Sequence, residues 1–483
     1  MAWSGLGLLA LVAAGIVLTG LPAFIILLTA AGLGAALAVL HGTIPVSLLG
    51  ALPGRLINLL EYDLLQALPL YVFMGVLLER LPIADALFRT SLSILPRSAA
   101  APVVSGLSLG ALLGPMNGSV GASVLSLSRS VNPRLLASGV SLPLRYATIA
   151  VASTLGVVIP PSLVLILLGD AMLSAHTMAV TATGRADRVV NTQDVFHGAL
   201  VPAGLVFAGS LVIAWLTTRR LPATTGVRDA ISVRQALLAA VSVLALLLLL
   251  GGVATGYFYA VEGAATGAFV LLTAGLCTGR LPAPVLAAAL ADVMAITGAL
   301  LALLVGATTL TLVLRLLGTD HLVGDWVIGL PGNEVTVVVI VLGIIGLSAF
   351  VLDAFEIIFV VVPIVVPPLL IRVADARWVA VLVLLTLQSS FLLPPFGYAL
   401  MMVRGTLKES VPLGALVRAL APFLLAQWAV LVLVLAAPQL VHLAEKPEDR
   451  TRAPPTTLSP QDVDKRFREM IPPPTDSDPD LRP

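Results

Sequence analysis

The chain has 483 residues, 58% of them hydrophobic and 11% charged, with a mean hydropathy of +1.05 and a net charge of +1. Soluble domains carry about a quarter charged residues, so an ordinary soluble protein is excluded and a chain that crosses a membrane many times is implied. The near-neutral charge gives no sign of nucleic-acid binding, while one cysteine and five scattered histidines exclude a disulfide framework and offer no metal-ligand spacing.

Apolar stretches fall near 5–19, 22–40, 64–79, 99–128, 143–169, 196–216, 236–257, 262–278, 294–316, 334–370, 377–403 and 421–443. The first lacks a basic flank and runs straight into the second, so it reads as a membrane helix and not a cleaved signal. Between Pro82 and Pro96, apolar and charged residues alternate at helical spacing, which predicts an interfacial amphipathic helix. Val285–Asp292 reads as its partner in the second half. The stretch 99–128 is rich in Gly, Ser and Asn and is bracketed by prolines. A re-entrant hairpin explains it, because irregular backbone at membrane depth must be buried in protein or line a wet cavity. Ser174–Asp194 reads as a longer loop, with Asp170 and Asp187 solvated on the outside. The stretch 334–370 is too long for one crossing of about 20 residues and reads as a hairpin, or as a helix plus a hairpin.

Two broken segments carry matching punctuation. Thr154–Ser162 contains Pro160-Pro161, and Gln388–Gly397 contains Pro394-Pro395. Each pair follows a lone proline by 27 positions, and the two sets are offset by 234. Interrupted membrane segments at corresponding places in two halves point to the binding site of a secondary transporter. The predicted fold is therefore an all-α polytopic membrane protein with two inverted structural repeats, each holding a re-entrant hairpin and a broken helix.

The expected domains are an N-terminal half at 1–215, with its hairpin at about 99–134 and its broken helix at about 143–169, and a cytoplasmic connector at 216–235. A C-terminal half follows at 236–443, with its hairpin at about 338–370 and broken helix at about 377–403. The tail at 444–483 contains nine prolines from 445 onward and mixed charge, a composition that predicts cytoplasmic disorder. Arg219, Arg220, Arg228 and Arg234 mark the connector as cytoplasmic. Arg80, Arg89, Arg97, Arg404 and Lys408 would then also lie inside, with the N-terminus outside, whereas Arg315, Arg372 and Arg377 would fall outside, against the rule.

Helices broken by paired prolines free carbonyls that can hold a cation at midplane. Neutral oxygens from Ser119, Ser123, Thr154, Ser389 and Ser390, the amides of Asn117 and Gln388, and close backbone approach at Gly118, Gly156 and Gly397 complete a candidate sodium and substrate site with Pro160, Pro161, Pro394 and Pro395. An anionic solute is favoured at half-helix N-termini. Asp353, the 234-offset counterpart of Ser119, is the sharpest candidate: a carboxylate in an apolar run costs about 2.5–3.5 kcal/mol on insertion scales. It reads as sodium-linked or hairpin-ordering, against the plainer alternative of an acid at the membrane surface with Glu356 merely one turn along. Arg129 and Arg145 read as positive-inside charge ahead of substrate ligands. Glu262 reads as a helix cap, and Tyr71 and Phe73 as packing.

Several of these segments, in order, resemble the large membrane subunit of tripartite ATP-independent periplasmic (TRAP) transporters. They are Ala67–Gly75, Asn117-Gly-Ser119 with Pro133, Thr154–Ser162, Gln193–Pro202, Gly252–Gly256 with Ala260-Val-Glu262, Leu352-Asp353 with Pro363, and Leu393–Gly397. The resemblance spans almost all of 1–443 and departs from the family pattern at Ser119-Val120-Gly121, where two adjacent serines are usual. It implies an elevator-type transporter of the ion transporter superfamily, importing organic acids with sodium as coupling ion and no cofactor. It further implies a bacterial inner-membrane location, a small four-helix membrane subunit and a periplasmic binding protein. A stand-alone divalent-anion symporter shares the hairpin logic. An intramembrane enzyme would need a paired catalytic constellation; no HExxH or Ser-His dyad lies within the spans, and Asp353 with Glu356 only imitates an aspartyl dyad. A channel would not require matched broken hairpins.

Overall fold

The computed structural model describes residues 2–42, 50–61, 63–96, 98–116, 120–185, 188–219, 232–394, 397–407 and 409–444. Asn117, Gly118, Ser119, Pro395, Arg97, Lys408, Asp187, Arg220, Arg228 and the tail from 445 lie outside them. Among the described residues there are helices and no strand. Among the described residues eight helices are long and apolar enough to span a membrane, and one bent pair passes as a ninth.

The first half runs α1 (Ala2–Thr19), α2 (Ala23–Leu40), α3 (Ala51–Leu60), α4 (Asp63–Arg80), α5 (Ile83–Ile94), α6 (Ala100–Leu113), α7 (Val120–Ser130), α8 (Asn132–Ala137), α9 (Leu142–Val158), α10 (Leu163–Thr183) and α11 (Thr192–Thr218). The second runs α12 (Val233–Ala254), α13 (Ala260–Cys277), α14 (Ala283–Leu316), α15 (Thr319–Ile328), α16 (Glu334–Ser348), α17 (Ala354–Arg372), α18 (Ala376–Ser390), α19 (Tyr398–Leu407), α20 (Leu413–Ala436) and α21 (Gln439–His442). Helix starts at 100, 120 and 142 recur 234 positions later at 334, 354 and 376. The proline offset is thus an offset of whole helices.

The stretch 334–370 is two helices, α16 and α17, joined at 349–353; 99–128 is likewise split into α6 and α7. The amphipathic α5 turns 63° from α4. It buries Ile83, Ala84, Ala86, Leu87 and Phe88, while Asp85 on its rim bridges Arg89 and Arg134.

Three expectations are corrected. Val285–Asp292 is no separate helix but the first turns of the continuous 34-residue α14, about 50 Å long at 1.5 Å per residue; nothing in it breaks the ladder after Pro284. Ser174–Asp194 is not one loop: α10 continues to Thr183 and ends at the left-handed Gly184, φ 63°, and α11 begins at Thr192. Asp170 is therefore a partly buried residue within α10. The connector is also shorter at both ends than 216–235, since α11 reaches Thr218 and Ser232 caps α12 through Gln235.

Burial separates a centre from a periphery. α17 is 78% buried and α10 67%, whereas the other long spans are 22–33% buried. The outer helices display Leu237, Leu244, Leu247 and Leu248, as a lipid-facing surface requires. At the centre α9, α10, α17 and α18 pack together. Around them α2, α4, α13 and α14 form a second bundle.

Candidate functional site

The first broken helix is built on a glycine ladder. Gly106, Gly110 and Gly114 of the outgoing hairpin arm face Thr148, Ala152 and Gly156 of α9 at matching four-residue steps. A Cβ on Gly110 would lie 2.5 Å from the Ala152 carbonyl oxygen, and one on Gly156 would lie 2.3 Å from the Gly114 carbonyl carbon. Small residues at this spacing let two backbones touch. The ladder ends where Pro160 and Pro161, lacking N–H groups, stop α9 at Val158. Ser162 then caps α10, accepting from the Leu165 N–H at 3.1 Å and donating to the Val157 carbonyl at 3.0 Å.

A small cavity of about 10 Å³ opens at this break, lined by Gly114, Pro115, Ser123, Ser153, Gly156 and Ser162 among others. That is about the room one water-sized occupant needs. Three serines share the lining with Pro115, Val120, Val157, Leu163 and Val164, and no carboxylate lines it.

The second half repeats the plan with looser contacts. α16 packs on α18, but a Cβ on Gly346 would sit a comfortable 3.4 Å from the Ser390 hydroxyl. Asp353 caps α17, its carboxylate accepting from the Ala354 N–H at 2.7 Å. Glu356 accepts in return from the Asp353 N–H at 3.0 Å. Asp353 and Glu356 thus form a reciprocal capping box at the start of α17. Beyond this cap α17 widens into a π-turn over Ile357–Val361, and Thr311 of α14 donates to the Phe359 carbonyl at 3.1 Å. Ser389 and Ser390 donate to the Leu385 and Thr386 carbonyls, both at 2.8 Å. Gln388 is fully buried, with no hydrogen bond to its amide among the described residues. At the break, Gly397 donates to the Leu393 carbonyl at 2.9 Å; a Cβ there would lie 2.6 Å from the Phe391 carbonyl oxygen, so glycine is required.

The halves cross over. α10 packs against α17, the returning arm of the opposite hairpin, and α19 packs against α7 in the same exchanged way. Tyr398, the first residue of α19, brings its hydroxyl 3.0 Å from where a Cβ on Gly121 of α7 would be. The same phenol lies within electrostatic reach of Asp353 and Glu356. Both hairpins and the second break therefore meet at one side chain.

Two arginine clasps repeat this exchange. Arg145, near the start of α9, donates to both Glu409 oxygens at 3.4 and 3.0 Å and to Asn132 at 2.9 Å. Arg377, near the start of α18, donates to Asp194 at 3.0 Å, which Arg188 also contacts. Asp194 and Asn191 form the capping box of α11. Arg145 is thus a buried, paired side chain and not a free positive-inside charge. Arg372 is likewise spent on carbonyls, donating to Ile328 at 3.0 Å and Gly332 at 3.0 Å.

The candidate residues separate into two groups. Ser123 and Gly156 line the first cavity, with Pro160 and Pro161 at its break. Thr154 is buried nearby, its hydroxyl donating to the Val151 carbonyl at 2.9 Å. Asp353, Gln388, Ser389, Ser390, Pro394 and Gly397 belong to the second half and do not line that cavity. Arg129 is exposed, Tyr71 is buried as packing, and Glu262 caps α13 by accepting from the Tyr259 N–H at 3.0 Å. Sequence reasoning missed Ser153, Ser162, Gly121 and Tyr398. Ser162 follows the proline pair directly and Ser153 precedes Thr154, so both were within reach of the same logic; Gly121 and Tyr398 meet only through the crossover.

The family model for the DctM component of tripartite ATP-independent periplasmic transporters matches residues 9–440. The C4-dicarboxylate TRAP transporter large permease protein DctM of Rhodobacter capsulatus is 23% identical over 389 residues, 78% of this chain and 85% of that one. The sialic acid TRAP transporter permease protein SiaT of Haemophilus influenzae is 22% identical over 393 residues, 80% of this chain; the match spans only 60% of SiaT. Among solved structures, the YdaH transporter of Alcanivorax borkumensis aligns with a TM-score of 0.59 at 15% identity, covering 81% of this chain and 88% of that one. MtrF of Neisseria gonorrhoeae aligns with a TM-score of 0.53 at 14% identity, covering 81% and 84%. These likenesses establish the fold, and the family match across nearly the whole chain establishes membership: the chain belongs to the DctM component family of tripartite ATP-independent periplasmic transporters.

Proposed function

We propose that this chain is the large permease subunit of a sodium-coupled importer of organic acids. The exchange of arms between the halves, with α10 packed on α17 and α19 on α7, carries the reading. The first cavity suits a small cation held by hydroxyls and freed carbonyls. The buried Gln388 amide, with no protein hydrogen bond among the described residues, is a second group that a cation or water would satisfy. Half-helix N-termini at α7 and α19 favour an anionic solute beside them. Relatives named for C4-dicarboxylates and for sialic acid support a carboxylate as that solute.

Sodium entry releases about 2.3 kcal/mol per charge per 100 mV, before any concentration term. Transport proceeds by an elevator: the crossed core of hairpins and broken helices moves as one body against the bundle of α2, α4, α13 and α14. The two clasps hold that core together. A periplasmic binding protein delivers the solute, a small membrane subunit completes the assembly, and the location is the bacterial inner membrane with the connector inside. Arg372 and Arg377, which contradict that orientation by position, are engaged with protein carbonyls and Asp194 and so carry little topological weight. The test is uptake of radiolabelled succinate and N-acetylneuraminate into proteoliposomes holding the three-part system. Uptake that needs sodium and the binding protein is expected; robust uptake by this chain alone, indifferent to sodium, would sink the proposal.

A further inference from the structure

A second cavity, of about 710 Å³, lies between α1, α15 and hairpin 2, the pair α16 and α17. α1 lines it with Trp3, Leu6, Leu9, Val12 and Ala13, one face of one helix at steps of three and four residues. Exposure falls along that face from 74% at Trp3 to 3% at Val12. From Trp3 to Ala13 the helix rises about 15 Å, half of a hydrocarbon core about 30 Å thick, so the cavity runs one leaflet deep. Trp326 of α15 also lines it and is 47% exposed, which puts two indoles at the mouth, as at a membrane interface. The mouth can be placed. α11 runs about 40 Å from its Asp194 end to the connector. Arg377 binds Asp194 at 3.0 Å, and Arg372, five residues earlier, holds the end of α15 through the Ile328 carbonyl at 3.0 Å. α1 joins the same helix, since a Cβ on Gly5 would meet the Thr319 hydroxyl. The mouth therefore opens on the face opposite the connector.

The lining selects the occupant. Apart from the indoles, Ser348 and Glu356 are its polar side chains. Ser348 donates to the Ile344 carbonyl at 2.9 Å, and Glu356 accepts the Asp353 N–H. A buried water needs about two to four polar partners, so a volume of this size walled by Leu, Val and Ile suits hydrocarbon and not water. The cavity also continues the lipid-facing surface. Val335, Val339 and Leu347 of α16 are exposed on one stripe, a Cβ on the intervening Gly343 would meet nothing within 4 Å, and Leu347 lines the cavity. A hydrocarbon chain reaches the cavity along that stripe without crossing a polar surface. We infer that this cavity is a binding site for one acyl chain of a membrane lipid, which enters between Trp3 and Trp326 with its headgroup at the face opposite the connector. The bound chain packs hairpin 2 against α1 and α15. The inference depends on the membrane-spanning fold and not on the solute or the coupling ion.

The test is photocrosslinking of the full-length chain, alone and with the small membrane subunit, in phosphatidylethanolamine nanodiscs. A fraction of the lipid carries a diazirine near the end of one acyl chain, and labelled residues are mapped by peptide mass spectrometry. The expected label falls on Val12 and Val360, which line the cavity and are only 3% and 2% exposed, and exceeds that on the open Leu244 and Leu248 of α12. A13F and I344F fill the cavity from opposite walls. Each should lower the label at Val360 about tenfold, the effect of keeping two methylenes from burial, and leave the labelling of α12 unchanged. Melting temperatures identify which variants fold, and the wild-type pattern is a test without either. Label at Val12 and Val360 no stronger than on α12, or undiminished in a folded variant, would overturn the site. Loss of that label when the small subunit is added would assign the cavity to the subunit interface and overturn it equally.

Discussion

Gly114 and Gly156 meet backbone to backbone: a Cβ on Gly156 would fall 2.3 Å from the Gly114 carbonyl carbon and 2.6 Å from its oxygen. Neither partner is a flexible side chain, so an added methyl must push hairpin 1 off α9 and deform the cavity between them. G156A should destabilise the protein by about 1–3 kcal/mol, the range for overpacking, and reduce uptake more than it reduces stability. G343A is the control, since no atom lies within 4 Å of its added Cβ. Melting temperatures and uptake of both variants check this.

The two arginine clasps share a pattern but differ in burial, which predicts unequal costs. Asp194 and Arg377 have side chains 8% and 10% exposed, whereas Glu409, paired with Arg145, is 45% exposed. D194N leaves Arg377 buried beside a neutral group and weakens the α11 capping box, so a loss of about 3–5 kcal/mol is expected. E409Q should cost less, because Glu409 is open to water and Asn132 still accepts from the buried Arg145. Unfolding of the two variants in parallel gives the ranking; equal losses would contradict it.

Gln388 offers a test of opposite sign. A buried amide without a partner costs about 1–3 kcal/mol, so Q388L should raise the melting temperature in sodium-free choline buffer. If the amide serves a sodium ion directly or through water, the same variant should lose part of the stabilisation that sodium confers. Destabilisation in choline would instead mean that the amide is held by protein.

Asp375 gives a pH dependence. It caps α18, accepting from the Trp378 N–H at 2.9 Å, and pairs with His442 of α21 at 2.8 Å. Burial works to raise its pKa, but the bonds from His442 and Trp378, with the charges of His442 and Arg377, outweigh it and hold the carboxyl below its ordinary 3.8. A depressed folded pKa stabilises above the unfolded value and is lost as pH falls through the folded one. The stability difference between wild type and D375N should be full above about pH 4 and shrink as pH falls further. A difference independent of pH across that range would contradict the pairing.

What the sequence disclosed follows from what is local. Proline pairs and lone prolines write helix ends directly into the chain, so their 234-residue offset marked the later starts of α16, α17 and α18. The richness of 99–128 in Gly was legible, but only the fold shows that Gly106, Gly110 and Gly114 face Thr148, Ala152 and Gly156. Val285–Asp292 misled because its pattern resembles α5, while no proline or glycine stops α14 there. Arg145 looked like a topogenic charge because Glu409 lies 264 residues away. Tyr398 was invisible for the same reason: its setting comes from the exchange of arms between the halves.

The decisive measurement is succinate and N-acetylneuraminate uptake by the reconstituted three-part system, with and without an inward sodium gradient, for the wild type and the S123A/S153A variant. Sodium-driven uptake in the wild type, with a raised half-saturating sodium concentration in the variant, is the expected result. Uptake that ignores the sodium gradient, or a variant whose sodium dependence matches the wild type, would contradict a coupling ion held at the first broken helix.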